Sequence, residues 1–337
     1  MSNKVTIIGA GSFGTAIANI FSDKNYEVLL YTINDKQASE INELRTNEYY
    51  FEDFKFTGKV GATTSLEEAL KFSKYVVIAL PSSAIREIAV MINSVLREPK
   101  IFINVSKGLE PETHKMLSEI IEEEIDESNR VGVVVLSGPS HAEEIIKRHF
   151  TALVAVSLKK ELGVEVQRLF SNNYIRVYTS EDLIGVQIAS TVKNVLALAS
   201  GIVYGMGYGD NTRAALITRG LSEMARYGVA QGAVKDTFFG LTGIGDLVVT
   251  ATSYHSRNFQ TGLKIGEGMS AKQALIESKT VVEGVRAADA VYRDAKENGI
   301  DMPITEGVYR IFFEEANPDQ VMKEIVQREL KAEKVGI

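Results

Sequence analysis

Hydrophobic residues follow two different patterns along the 337-residue chain. Up to about residue 180, short runs rich in β-branched residues alternate with stretches of helical spacing, which predicts βαβ units and a mostly parallel sheet. Runs that are apolar throughout, such as Val76–Leu80, are typical of strands with both faces covered. The predicted strands are Lys4–Ile8, Glu27–Ile33, Tyr75–Leu80, Ile101–Val105, Gly132–Ser137, Ala152–Ser157 and Tyr174–Thr179. For the last two, the pattern leaves the direction of pairing open.

After Ser180 the strand pattern stops and helical spacing takes over. Ser180, followed by two acids and an apolar run, is typical of a helix N-terminus, and the chain length favours two domains. The four glycines of Gly201–Gly209 predict a flexible turn between two helices. The predicted helices are Glu181–Tyr204, Thr212–Tyr227, Ser270–Ser278, Val282–Asn298 and Thr305–Glu315. We therefore expect an α/β domain over 1–180 and an all-α domain over 181–337.

Composition narrows the class of function. The formal net charge of −7 disfavours tight binding to nucleic acid or an anionic membrane. The chain has no cysteine and four scattered histidines, so neither a disulfide framework nor a metal site is expected. The apolar run Val5–Ile8 is too short for a signal segment, and the stretches Val76–Leu80 and Val131–Leu136 are too short to cross a bilayer. These features predict a cytoplasmic protein with a small-molecule substrate and no integral membrane segment.

A glycine-rich segment, Gly9–Gly14, follows the first predicted strand and opens a helix. In that order Gly9 permits a tight turn, Gly11 lets the backbone approach a pyrophosphate, and Gly14 allows the helix to pack closely on the strand. The helix N-terminus adds N–H groups and partial positive charge. A tight turn without a ligand is the alternative interpretation. The context favours a Rossmann-type domain in which the cofactor contacts Gly9, Gly11, Ser12, Phe13 and Gly14.

The end of the second strand reads Tyr31–Lys36 and bears on the choice between NAD and NADP. An acid there would hold the ribose 2′-hydroxyl, whereas a cation would favour a 2′-phosphate. Asp35 therefore favours NAD, although it could simply cap the next helix, and Lys36 could reach a phosphate. The sequence therefore allows either NAD or NADP as the cofactor and favours NAD.

Further segments, in order along the chain, resemble the bacterial type of the NAD(P)-dependent glycerol-3-phosphate dehydrogenase family. Together they are far more specific than the glycine loop, which hundreds of dehydrogenase types share. They are Gly9–Ala16, Ser106–Glu110, Ser137–Ser140, Thr191–Val195, Gly209–Asn211, Ala214–Gly220, Gly245–Leu247 and Ser256–Asn258. The resemblance implies a second domain like the C-terminal domain of 6-phosphogluconate dehydrogenase. It also implies interconversion of dihydroxyacetone phosphate and sn-glycerol 3-phosphate for glycerophospholipid synthesis, and a homodimer.

Reduction of a ketone builds negative charge on the carbonyl oxygen, so the site needs a proton donor and electrostatic stabilisation. Lys193 suits this task because partial burial in the apolar helix Ile184–Ala199 lowers a lysine pKa. On periodicity alone it could equally lie on a polar face; the resemblance makes it the proton donor or acceptor. Asp246 would hold the ammonium or cap a helix. If the segment is helical, the spacing of four residues would put Thr250 on the same face as Asp246.

Other candidates carry anion-binding groups. Lys107 follows a predicted strand at the carboxyl edge where open sheets bind ligands, although Glu110 could pair with it in a surface turn. Arg257 offers a bidentate guanidinium for a phosphate, although such a residue in a polar loop is usually solvated. In Ser137–Ser140, backbone N–H groups at a helix start, with Pro139 in its first turn, could bind substrate or cofactor oxygens.

The residue chemistry and the resemblance together give three sets of site residues. The catalytic set is Lys193, Lys107, Asp246, Asn194 and Thr250. The substrate set is Lys107, Gly138, Ser140, Lys193, Asp246, Ser256, Arg257 and Asn258. The cofactor set adds Tyr50, Lys107, Ala142, Arg257, Val281 and Glu283 to the glycine loop.

Two positions depart from the family pattern. Phe13 replaces a frequent tryptophan, and Phe51-Glu52-Asp53 replaces a Leu-Pro-Gly turn beside Tyr50.

We expect the nicotinamide to face a cleft between the domains. The competing hypotheses are a β-hydroxyacid or 6-phosphogluconate dehydrogenase, and a sensor or scaffold that binds NAD without chemistry.

Overall fold

The computed structural model describes residues 3–278, 281–330 and 332–333. They divide into two compact units, Met1–Leu183 and Ile184–Ile337. The division lies close to the boundary expected at residue 180. We call these unit 1 and unit 2.

Unit 1 contains one eight-stranded sheet with the order β3-β2-β1-β4-β5-β6-β7-β8. All neighbouring strands are parallel except β6 and β7, which are antiparallel, so the mostly parallel sheet is confirmed. The strands are β1 (Lys4–Ile8), β2 (Glu27–Tyr31), β3 (Val60–Thr63), β4 (Tyr75–Ile78), β5 (Lys100–Asn104), β6 (Arg130–Ser137), β7 (Thr151–Val156) and β8 (Ile175–Ser180).

Helices cover both faces of this sheet. They are α1 (Ser12–Asp23), α2 (Asp35–Glu43), α3 (Leu66–Phe72), α4 (Ile85–Val95), α5 (Leu117–Glu124), α6 (Ala142–Ile146) and α7 (Lys160–Phe170). Successive strand residues point to opposite faces, so Ile7 packs in the core with α1, α2, α6 and α7, whereas Ile8 packs with α3, α4 and α5. Two covered faces explain why the central strands are apolar throughout.

Strand β3 was not predicted from the sequence. It has four residues, includes Gly61, and lies at the edge of the sheet, where it pairs only with β2. A glycine has no side chain to contribute to an alternating pattern, and an edge strand needs less apolar surface than a central one. Pairing with β2, rather than local sequence, therefore makes this segment a strand.

Unit 2 consists of helices and their connections in the part of it that the structure describes, as expected for the second domain. The helices are α8 (Leu183–Gly205), α9 (Asp210–Ala230), α10 (Asp246–Thr252), α11 (Arg257–Gly266), α12 (Ala271–Glu277), α13 (Glu283–Glu297), α14 (Pro303–Phe313) and α15 (Pro318–Val326). The sequence pattern missed α10, α11 and α15. A π-helical turn, Leu241–Gly245, leads directly into α10.

Helix α8 is the centre of unit 2, and its residues from Gly185 to Val203 are all buried. By length and hydropathy it is the one helix among the described residues that could cross a membrane, but the whole apolar window is buried inside the protein. This long apolar segment is therefore a core helix of unit 2.

The prediction of a flexible turn over Gly201–Gly209 was largely wrong. Gly201 and Gly205 lie within α8, where a Cβ on Gly201 would come within 2.1 Å of the Phe259 carbonyl oxygen on α11. A Cβ on Gly262 of α11 would likewise come within 2.1 Å of the Leu198 carbonyl oxygen. These glycines allow two helix backbones to approach closely, and the turn is limited to the residues after Gly205.

A buried carboxylate on α9 caps another helix of unit 2. Glu223 accepts hydrogen bonds from the backbone nitrogens of Ile304 (2.7 Å) and Thr305 (3.2 Å) in the first turn of α14. Burial raises the pKa of Glu223 to about 7, although these donors and Arg226 act in the opposite direction. The carboxyl group therefore keeps its proton to a higher pH in the folded chain than in the unfolded one.

The unfolding free energy should thus depend on the titration of Glu223. Unfolded glutamate loses its proton near its ordinary pKa, whereas the folded group holds its proton up to about pH 7, so stability decreases as the pH rises towards 7. Between pH 4.5 and 8 the unfolding free energy of the wild type should decrease by roughly 3 kcal/mol more than that of Glu223→Gln. Urea unfolding at each pH measures both. Glu297→Gln, at an exposed carboxylate of α13, is the control. Parallel pH profiles for wild type and Glu223→Gln would contradict the expectation.

Candidate functional site

The glycine loop follows β1 and shows a different constraint at each glycine. Gly9 has a φ of 111°, and a Cβ there would come within 2.5 Å of the Ala79 carbonyl oxygen. A Cβ on Gly14 would come within 2.0 Å of the Gly9 carbonyl oxygen. Around Gly11, by contrast, a Cβ would meet no heavy atom of the described residues within 4 Å. The tight turn, the close packing and the open backbone position are those that a dinucleotide pyrophosphate needs, so the residues fit the cofactor.

A buried polar network holds this loop from behind. The Ala10 carbonyl accepts hydrogen bonds from Gln37 Nε2 (2.8 Å) and Asn47 Nδ2 (3.0 Å). Asn47 Nδ2 also donates to Thr15 Oγ1 (2.8 Å), whose hydroxyl donates to the Gly11 carbonyl (2.8 Å). Gln37 and Asn47 were not predicted as part of the site, because an isolated amide residue far along the chain carries no periodic or motif signal.

The segment after β2 is fixed through the same network. Thr32 Oγ1 donates to Gln37 Oε1 (2.6 Å), and the cap of α2 is Asn34, whose side chain accepts from the backbone nitrogens of Lys36 and Gln37. The alternative that Asp35 caps this helix is therefore wrong. Asp35 and Lys36 are both exposed in the first turn of α2.

Tyr50 lies in a turn that Asn47 joins to the glycine loop. The Tyr50 backbone nitrogen donates to the Asn47 carbonyl (3.1 Å), and the Tyr50 ring packs edge-on against Tyr49. The residue is 40% exposed. Tyr50 is therefore a partly exposed aromatic residue on a turn that is joined to the glycine loop through Asn47.

At the carboxyl ends of β5 and β6 the structure brings together Lys107, Gly138 and Ser140. Lys107 Nζ donates to the Gly138 carbonyl (3.1 Å), which also accepts from Ser140 Oγ (2.9 Å). Gly138 has a φ of 137°, and the chain turns here before α6 begins at Ala142. The expectation that Pro139 lies in a first helical turn was therefore wrong.

Glu110 does not pair with Lys107 in a surface turn, as one alternative had it. Its carboxylate is buried and binds the Arg86 guanidinium of α4 through both oxygens, at 2.6 and 2.8 Å. Arg86 lies 24 residues earlier in the chain, so nothing local in the sequence indicated this pair.

In unit 2, α8 and α10 bring Lys193, Asp246 and Thr250 into contact. Lys193 Nζ donates to Asp246 Oδ1 (2.6 Å) and to Thr250 Oγ1 (2.9 Å). The lysine is 4% exposed and the aspartate 1%, so Lys193 does not lie on a solvated helix face. Asp246 is the first residue of α10 and Thr250 follows one turn later, which confirms the predicted shared face. The N-cap of α10 is Gly245 rather than Asp246.

Two buried amides connect α8, α11 and α13. Asn258 Nδ2 donates to Asn194 Oδ1 (3.0 Å), and Asn194 Nδ2 donates to the Ser190 carbonyl (3.2 Å). Asn258 Oδ1 accepts from the Gly284 backbone nitrogen (2.9 Å). Both carboxamides are therefore engaged in joining three helices, a role that the sequence analysis did not predict.

Arg257 is the first residue of α11 rather than part of a polar loop. Ser256 caps this helix by accepting from the Phe259 backbone nitrogen (3.2 Å), and the Arg257 side chain is exposed. An exposed guanidinium beside a helix N-terminus is a favourable environment for a phosphate.

The remaining predicted cofactor contacts of unit 2 lie at the start of α13. Glu283 is its first residue and is partly buried, and Val281, two residues earlier, is exposed. Gly284 joins this helix start to Asn258.

No group of three or more histidine, aspartate or glutamate side chains able to hold a metal ion occurs in the part of the chain that the structure describes.

A strand order of 3-2-1-4-5-6 with a glycine loop after β1, followed by a helical unit with a buried lysine–carboxylate pair, defines the class of two-domain, dinucleotide-dependent oxidoreductases. Residues 4–163 match the profile of the NAD-dependent glycerol-3-phosphate dehydrogenase N-terminus, and residues 182–323 that of its C-terminus. The chain belongs to this family, and the sequence resemblance is confirmed.

Named relatives are similar to this chain over nearly its full length. A glycerol-3-phosphate dehydrogenase (NAD(P)+) of Listeria monocytogenes is 48% identical over 331 residues, 98% of each chain. One of Staphylococcus aureus is 46% identical over 330 residues, 98% of this chain and 99% of that protein. The crystal structure of glycerol-3-phosphate dehydrogenase from Coxiella burnetii has a TM-score of 0.90 at 33% identity, covering 96% of this chain and 99% of that one.

The amide contacts predict different effects for two neighbouring residues of α11. Asn258→Leu should lower the unfolding free energy by at least about 2 kcal/mol, because it removes buried partners of Asn194 and Gly284. Arg257→Leu should change it by no more than about 0.5 kcal/mol because that side chain is exposed. Urea unfolding followed by circular dichroism measures both, and equal losses would contradict the structural role of Asn258.

Proposed function

We propose that this chain interconverts dihydroxyacetone phosphate and sn-glycerol 3-phosphate with NAD(P)H, the activity named for its relatives. The observation that carries the proposal is the buried contact of Lys193 with Asp246 and Thr250 in a chain of this family. Burying an ammonium and a carboxylate is costly and adds little net stability even when they are paired, which supports a chemical role for the pair.

The proposed reduction combines the cofactor with residues of this chain. A dinucleotide whose pyrophosphate is held at Gly9–Gly14 would supply the hydride that C2 of the ketone accepts. Lys193 Nζ holds the proton that the C2 oxygen receives, and takes it back in the reverse reaction. Asp246 Oδ1 and Thr250 Oγ1 orient the lysine amine, since they accept two of its hydrogen bonds.

Recognition of the substrate phosphate is assigned to the start of α11. The Arg257 guanidinium offers paired N–H donors, and the helix N-terminus capped by Ser256 adds partial positive charge. Asn194 and Asn258 support this segment through the amide contacts described above. In unit 1, Lys107 offers a further cation to the substrate, and Gly138 and Ser140 lie beside it.

Lys193→Met should lower kcat for dihydroxyacetone phosphate reduction by about 10²- to 10⁴-fold, because the proton donor is lost. The Kd for NADH should stay within about twofold, since the glycine loop is unaffected. Lys272→Met, at an exposed lysine of α12, is the matched control and should behave as wild type.

Arg257→Leu should chiefly raise the KM for the ketone phosphate, by roughly 10- to 100-fold for a lost charged hydrogen bond.

Near-normal turnover by Lys193→Met would refute the assignment. Wild-type turnover of 3-hydroxyisobutyrate or 6-phosphogluconate, but not of sn-glycerol 3-phosphate, would favour another two-domain dehydrogenase. NADH binding without oxidation in the presence of dihydroxyacetone phosphate would favour a protein that only senses the dinucleotide.

We also propose that both cofactors are accepted and that NADH is favoured. The exposed carboxylate of Asp35 disfavours a 2′-phosphate electrostatically, while Lys36 beside it limits the discrimination. The kcat/KM with NADH should therefore exceed that with NADPH when both are measured side by side. Asp35→Asn should narrow the ratio, and a higher value with NADPH for the wild type would refute the preference.

The broader expectations are proposals drawn from the family resemblance. They are a cytoplasmic location, a homodimer, and supply of glycerol 3-phosphate for glycerophospholipid synthesis. A measurement of the solution mass of the purified chain tests the homodimer.

A further inference from the structure

The segment that carries Lys107 is an irregular loop whose shape depends on specific contacts. We call residues 105–116, between β5 and α5, the Lys107 loop. Within it the Glu110 backbone nitrogen donates to the Lys115 carbonyl (3.0 Å), and the His114 nitrogen donates to the Glu110 carbonyl (3.0 Å). Gly108 has a φ of 111°. The loop thus folds back on itself with Glu110 at the start of the turn.

Its first anchor lies directly before Lys107. The Ser106 backbone nitrogen donates to Asn104 Oδ1 (3.1 Å), and Ser106 Oγ accepts from the Leu80 backbone nitrogen (3.2 Å). The same hydroxyl contacts the Ile78 carbonyl (3.4 Å). The start of the loop is therefore held at the carboxyl end of β4.

The second anchor lies three residues after Lys107. Both Glu110 oxygens accept from Arg86, at 2.6 Å from Nε and 2.8 Å from Nη2, and Thr113 Oγ1 donates to the same carboxylate. The Arg86 guanidinium holds the pKa of Glu110 below its usual range, so the pair stays charged at neutral pH. Such a bidentate pair constrains distance and orientation together.

Arg86 joins the loop to two helices. It is carried by α4 and also binds Glu123 and Glu124 of α5. The exposed fractions of the Glu110, Glu124 and Glu123 side chains are 5%, 23% and 44%, so the carboxylate that holds the loop is the one removed from water. Contacts with Glu123 and Glu124 serve the packing of α4 on α5. The contact with Glu110 adds a fixed position for the loop.

From these contacts we propose that Arg86 and Glu110 are a positioning pair for Lys107 in the reaction. The inference rests on the proposed function, in which Lys107 contacts the substrate. A lysine amine sits on a flexible four-carbon stem, so its place depends on the backbone that carries it. Ser106 and Glu110 fix that backbone on both sides of Lys107, and the amine then meets the Gly138 carbonyl. Misplacement of a substrate-binding cation by about 1 Å is enough to cost two orders of magnitude in rate.

A double-mutant cycle tests this directly. The kcat/KM for dihydroxyacetone phosphate is measured at saturating NADH for wild type, Glu110→Gln, Lys107→Ala and the double variant. Glu110→Gln should lower kcat/KM roughly 10- to 100-fold in the wild-type background and less than about threefold in the Lys107→Ala background. The Kd for NADH should change by less than about twofold, because the glycine loop is held by other residues.

Glu124→Gln is the matched control, since it removes a carboxylate from the same guanidinium but lies on α5, outside the Lys107 loop. Its kcat/KM should stay within about twofold of wild type. Equal losses from Glu110→Gln in both backgrounds, or wild-type activity of Glu110→Gln, would overturn the proposal. If Glu110→Gln does not fold, Glu110→Asp keeps the charge with a shorter reach and enters the same cycle. A wild type that does not oxidise NADH with dihydroxyacetone phosphate would instead refute the proposed function.

Discussion

The buried contact of Lys193 with Asp246 and Thr250 ties α8, the core helix of unit 2, to α10. An ammonium group inside an apolar core needs a carboxylate and further hydrogen-bond acceptors, because its desolvation is otherwise too costly. Helix α8 is buried over almost its entire length, so these partners have to come from another helix. Helix α10 provides both from adjacent turns of one face.

Close packing of helix backbones supports the same region. Glycines on α8 and α11 allow these helices to approach until carbonyl oxygens occupy the places that side chains would take. Buried amides then join the two helices to α13, through Asn194, Asn258 and Gly284. The lysine and the start of α11 are therefore held in one rigid set of helices. Apolar burial supplies most of the stability, and polar contacts set the register of the functional groups.

Unit 1 uses a similar division of labour. The glycine loop has the sequence needed to meet a pyrophosphate, but Gln37 and Asn47 hold its Ala10 carbonyl in place. Lys107 has the charge needed to meet a substrate, and Ser106 and Glu110 hold the chain on either side of it. In both cases the group that faces a ligand belongs to a recognisable motif. The groups that orient it are ordinary residues made important by tertiary contacts.

Local pattern was enough to determine the central strands, the long helices and the glycine loop of this protein. Alternation, helical spacing and the order strand–loop–helix are properties of neighbouring residues, and the shared face of Asp246 and Thr250 follows from helix geometry alone. Family motifs added Lys107, Lys193 and Arg257 as candidates. The tertiary structure alone decided that β3 is a strand and that Gly201 of α8 packs against the Phe259 carbonyl oxygen of α11. It also decided that Glu110 binds Arg86 and that Asn258 binds Asn194. These features depend on partners distant in the chain, and a distant partner leaves no periodic trace in the sequence around either residue.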